Sequence, residues 1–100
     1  MSYSYTILNA TCDMEQNNLQ YYDYYLVDAT SGNISITLPI LYDGSYIQLH
    51  RIDTTSNTVT LLPQTGETLN GTSSVLLPIN RYTQCIKTGT NWRIPRISFN

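Results

Sequence analysis

The chain has 100 residues, enough for one domain and one core, and 41% of them are hydrophobic while only 12% are charged, about half the usual ~25% share. A net charge of −2 supplies no basic patch to neutralise phosphates, which excludes a nucleic-acid backbone as the expected partner. No apolar run approaches the ~18 residues that cross a bilayer, so membrane insertion is not expected either.

Tyr3, Tyr5 and Ile7 alternate with Ser4, Thr6 and Leu8, the pattern of a first strand. This opening lacks the basic region and long apolar run of a signal peptide, so synthesis in a cytoplasm is the expectation. Asn9 to Gln20 is polar without a clear period, which fits a loop or a short helical turn around Met14 to Leu19. Residues 1–20 are therefore expected as a strand followed by a polar arm, and residues 21–100 as the folded domain.

Tyr21 to Asp28 is aromatic and β-branched enough for a strand. Ser31-Gly32-Asn33 turns the chain, and Ile34, Ile36 and Leu38 alternate with Ser35 and Thr37 up to Pro39. After Tyr42-Asp43-Gly44 the next strand sets Ile47, Leu49 and Arg51 opposite Tyr46, Gln48, His50 and Ile52. Asn57 to Leu62 puts Val59 and Leu61 on one face and Thr58, Thr60 and Leu62 on the other, and Pro63 ends it because it cannot donate to a ladder. Thr68-Leu69 resumes extended chain before the strong turn signal Asn70-Gly71. A short apolar run follows at Ser74 to Ile79, then an alternating strand from Tyr82 to Thr88, a turn at Gly89-Thr90-Asn91, and a last strand from Trp92 to Ile97. Short strands separated by turns every ~8–12 residues predict an all-β fold, a small antiparallel β-sandwich or barrel.

The reactive inventory is thin. His50 is the only histidine, and no Cys/His cluster or Gly-rich phosphate loop is present, so neither a metal nor a cofactor is expected. Cys12 and Cys85 match no metal or redox spacing and are expected as free thiols. Asp13 with Glu15, or Asp23 with Asp28, are the available carboxylate pairs, but they sit at loops and strand ends rather than across a cleft. Asn9, Asn33 and Asn70 begin glycosylation triplets of the kind an Asn- and Thr-rich chain produces by chance. Nothing here predicts an enzyme.

The run Tyr24-Tyr25-Leu26-Val27-Asp28 through Gly32, then Ile34-Ser35-Ile36-Thr37-Leu38-Pro39, resembles a module of phage and virus fibre proteins. The likeness continues through Gly44, Ile47 to Asp53, Asn57 to Thr60, Gly66 to Gly71 and Gly89-Thr90-Asn91-Trp92, and so covers Tyr21 to Ile97. Thr88 departs from the pattern, which commonly has Asp before that Gly, and no stalk or collagen repeat accompanies the module. The resemblance implies a homotrimer on a virion surface, as fibre head or capsid decoration, in contact with other virion proteins and alternatively with a host surface glycan.

Nine tyrosines and few charges suit burial against another protein or against sugar. Tyr21, Tyr22, Tyr24 and Tyr25 place aromatics on both faces of one strand, more than one small core can hide, and are the expected subunit contact. Trp92 is expected to cover the end of the core, and with Asn91 it forms the candidate glycan contact.

Overall fold

The structure, a computed structural model, describes residues 5–16 and 24–95. Among them the all-β expectation holds, with strands, turns and bends and no helix. The strands are β1 (Tyr5–Leu8), β2 (Cys12–Asp13), β3 (Tyr24–Val27), β4 (Ile34–Thr37), β5 (Tyr46–Arg51), β6 (Val59–Leu62), β7 (Thr68–Leu69), β8 (Val75–Leu76), β9 (Tyr82–Thr88) and β10 (Asn91–Arg93). They form a six-stranded sheet A, ordered β1-β3-β5-β9-β10-β7, and a four-stranded sheet B, ordered β2-β4-β6-β8.

The winding corrects the antiparallel sandwich or barrel expected from turn spacing. β1, β3 and β5 are parallel neighbours in sheet A, and β2, β4 and β6 are parallel neighbours in sheet B. Each strand pairs with the second strand along the chain, so the chain steps between the sheets in about three turns of a β-solenoid. Turn chemistry marks where a strand ends, but a Gly- or Asn-bearing bend serves a corner between two sheets as well as a hairpin. Period-2 alternation is equally silent, because one face is buried in either topology. Antiparallel pairing enters only at the far end, where β9 lies between β5 and β10 and β8 pairs with β6.

The segment expected as a polar arm is the first coil instead. β1 pairs with β3, β2 pairs with β4, and Leu8 and Met14 are buried in the core. Stacking parallel coils in register puts like positions in rows. Cys12, Ile36, Leu61 and Val75 form one inward row across sheet B. Tyr25 and Leu49 lie in an inward row of sheet A that ends on Thr83. Trp92 and Leu69 pair in the same way at the closing end, both fully buried.

One corner holds the coils together through charge. Arg51 and Asp53 are buried and form an ion pair, with Arg51 Nε donating to Asp53 Oδ1 at 2.9 Å. The same guanidinium donates to the carbonyls of Leu77 and Asn57, while Asp53 accepts from the amides of Ala29 and Thr55 and from the Thr55 hydroxyl. Asn57 Nδ2 then donates back to the Ala29 carbonyl at 2.6 Å. A second buried pair, Lys87 with Glu67 at 2.7 Å, sits beside Trp92, the ammonium 5.5 Å from the ring centroid.

Two outcomes follow from this arrangement. Arg51 holds the Asp53 carboxyl well below the usual carboxylate range against the opposing cost of burial, and Thr55 and Ala29 add to the effect. A depressed carboxylate contributes stability in full above its unfolded pKa of about 4 and loses it as pH falls toward the folded value. Asp53→Ala strands a buried guanidinium and should cost on the order of 3–5 kcal/mol in urea unfolding at neutral pH. The gap between wild type and Asp53→Asn should close steadily below about pH 4, and parallel curves would show that the carboxylate is not the acid-sensitive group. Separately, Cys12 and Cys85 are both free thiols, and Cys85 is fully buried with its thiol pushed up to about 12 by burial. Thiol titration of the native protein at mildly alkaline pH should count Cys12 alone, slowed because burial and the neighbouring Asp13 raise its pKa, and should count both in denaturant.

Candidate functional site

Alternation in a strand sends every second side chain outward, and parallel stacking lines those side chains up from coil to coil. On sheet A the outward rows are Tyr5-Tyr24-Gln48-Gln84 and Ile7-Leu26-His50-Tyr82, with a third row Tyr46-Ile86-Arg93 on the closing strands. Tyr5 is 56% exposed, Ile7 50%, Tyr46 47% and Tyr82 48%, so the face is apolar and open. Arg93, at one end of the third row, is its one residue of fixed charge. The outer face of sheet B is different in kind, carrying Asp13, Ser35, Thr37 and Thr60 beside Leu62 and Leu76.

The polar atoms in the middle of this face already have partners. The Tyr24 hydroxyl and His50 Nδ1 are 2.8 Å apart, and the Tyr82 hydroxyl donates to Gln48 Oε1 at 2.5 Å. His50 stands between the two tyrosines, edge-on to both rings at centroid distances of 6.3 Å and 6.2 Å. A phenol whose hydroxyl is spent within the chain can be covered by an apolar surface without stranding a donor.

The residues singled out by sequence divide sharply. Tyr24 lies on this face, half-buried, whereas its neighbour Tyr25 points the other way and is fully buried in the core. Tyr25 is thus removed from the expected subunit contact, because adjacent strand residues face opposite sides. Tyr21 and Tyr22 lie outside the described residues. Trp92 is fully buried under Lys87, which fits the end-covering role and leaves no ring surface for a sugar. Asn91 Oδ1 accepts from the Thr68 hydroxyl and the Gly71 amide, so its side chain fastens the β7 turn to β10 rather than facing a ligand. The glycan contact expected at Asn91 and Trp92 is corrected accordingly.

Tyr5, Ile7, Tyr46, Tyr82 and Ile86 are the face residues that the sequence did not assemble. Each was on the outward side of a recognised alternation, but only the β1-β3-β5-β9 order brings them together. The acids have structural duties instead. Asp13 Oδ1 accepts from the Glu15 amide and from Gln64 Nε2, Glu15 accepts from the Ile40 amide, and Asp28 closes a local turn with Thr30. No cluster of three or more His, Cys, Asp or Glu side chains occurs among the described residues.

A cleft of about 340 Å³ opens between the β5–β6 turn and the β8–β9 loop, walled by Val59, Leu76, Leu77, Pro78 and Ile79. Its one charged wall is Arg51, whose donors are taken up by Asp53 and by carbonyls of its own chain. Binding sites for small molecules combine apolar walls with a few placed polar groups, and this cleft has the walls without a free cation to orient a ligand. No protein-family model, curated protein or solved structure matches the chain.

Proposed function

We propose that this chain is a non-enzymatic structural protein of a virion surface, a fibre-head or capsid-decoration component that assembles as a homotrimer through the outer face of sheet A. The observation that carries the assembly is that face itself: rows of Tyr, Ile and Leu running across four strands, with the tyrosine hydroxyls at its centre already bonded within the chain. Parallel strands ordinarily have both faces covered, and β1 and β3 send Tyr5, Ile7, Tyr24 and Leu26 outward as a covered face would. A near-neutral face also meets its own copy without like-charge repulsion. The three-fold symmetry and the virion setting rest on the fibre-module resemblance of Tyr21 to Ile97.

The rows run from coil to coil, along the solenoid axis. Copies joined through them lie side by side with their axes roughly aligned, an arrangement suited to a fibre tip or a surface spike. A carbohydrate-recognition role is the second reading, and the exposed rings of Tyr5, Tyr46 and Tyr82 favour it, since sugars stack on aromatic faces. The two separate on a glycan array.

Tyr46 and Ile86 are direct cross-strand partners, exposed and clear of the core, so replacing both with Ser tests the contact without emptying the interior. Each truncated interface aromatic should cost on the order of 2 kcal/mol per subunit. Light scattering at micromolar concentration should give a trimer mass for the wild type and a shift toward monomer for Tyr46→Ser with Ile86→Ser. The matching change on sheet B, Ser35→Ala with Thr60→Ala, should leave the mass unchanged. A wild-type monomer, or a double variant that assembles as the wild type does, removes this reading.

A further inference from the structure

We propose that His50 makes the assembly pH-dependent, holding the sheet A faces together while neutral and releasing them when it takes up a proton. The inference rests on the sheet A contact proposed above and concerns the regulation of that contact. His50 lies at the middle of the face on β5, in the row Ile7-Leu26-His50-Tyr82. It is the only histidine of the chain and therefore the one side chain of its type, whose charge ordinarily changes between about pH 5 and 8.

The surroundings of the ring decide the sign. From β3 it meets Tyr24 and Leu26, from β9 Tyr82 and Gln84, and from its own strand Gln48 and Ile52. None of these is an acid. The outward cation Arg93 lies in the separate Tyr46-Ile86 row, and a cation offers an imidazolium no relief. Arg51 and Asp53, near in sequence, face the core and are committed to each other. Arg81 adjoins Tyr82 and is also a cation. The covering copy brings the same residues, so no carboxylate arrives with it. A neutral ring fits such a contact, with Nδ1 kept at the Tyr24 hydroxyl, while an imidazolium becomes a desolvated charge with no counter-ion. Protonation is thus excluded from the assembled state and free to occur in the separated one.

Linkage then fixes the direction and the steepness. Assembly is complete above the range where the free histidine titrates and weakens below it. With three histidines per trimer all held neutral, the dissociation constant rises by up to about a thousandfold for each pH unit below that range.

The test compares wild type with His50→Gln by light scattering at micromolar concentration, at about pH 7.5 and about pH 5.5, above and below the ordinary histidine range. The wild type should be a trimer at the higher pH and lose mass at the lower with its far-ultraviolet circular dichroism unchanged. His50→Gln should show one mass at both pH values, whatever its strength of assembly. As a readout free of any variant, the ring resonance of the single histidine should titrate at a lower midpoint as protein concentration rises. A wild-type trimer whose mass and histidine midpoint ignore pH and concentration overturns the switch and leaves the sheet A contact standing. A wild type that is monomeric at both pH values overturns the contact and the switch together.

Discussion

The buried pair of Arg51 and Asp53 is the interaction on which the winding depends. A solenoid corner bends the backbone out of its ladder, so amides and carbonyls there need partners from elsewhere. Asp53 supplies acceptors to Ala29 in the preceding coil and to Thr55 in its own, while Arg51 reaches the Asn57 carbonyl and the Leu77 carbonyl beyond β8. One ion pair therefore ties two coils and the closing segment to a single point. Such pairs contribute little when compared with an apolar substitute, but losing one member leaves a desolvated charge, and that asymmetry makes the corner intolerant of change. The opposite corner works by neutral groups: Gln64 Nε2 bridges Asp13 and the Leu38 carbonyl, again joining coils that are far apart in sequence.

Local patterning was legible wherever a strand was long enough to show a period. The alternation of Ile47, Leu49 and Arg51 against Tyr46, Gln48 and His50 matches the inward and outward sides of β5, and the Tyr82 to Thr88 strand lies where its pattern put it. Asn70-Gly71 has positive φ at both residues, as its turn chemistry required. Two features escaped. β2 is only two residues long, too short for any period, so the first coil looked like a polar arm. The pairing of β4 with β6 and of β3 with β5 escaped as well, because partner choice is a long-range property that neither turn residues nor alternation encodes.

The face of sheet A shows the same division. Parity within Tyr24-Tyr25 was visible in the sequence, but which parity faces the core is settled by Tyr25 meeting Leu49 across the ladder. Arg51 on an apolar alternation was the sequence sign of a buried ion pair, with Asp53 two residues on as the available partner. Lys87 carried the same sign on β9, and its partner Glu67 comes from a distant turn. Long side chains on core-facing positions of a weakly charged chain are thus informative, since burying them unpaired costs too much to be accidental.

The contrast between the two outer faces carries the functional argument to its end. Both are solvent-facing sides of one two-sheet solenoid, so the fold alone does not require them to differ. Sheet B presents Ser, Thr and Asp, the composition of a surface kept in water. Sheet A presents tyrosine and aliphatic rows and spends the Tyr24 and Tyr82 hydroxyls on His50 and Gln48. A surface meant for water gains nothing from tying up its polar atoms internally, because water satisfies them at no cost in side-chain freedom. A surface meant to be covered does gain, since each internal bond is one fewer group to strand on association. The asymmetry between the sheets is therefore best accounted for by a partner on one side only, and a near-neutral face is suited to meeting its own copy.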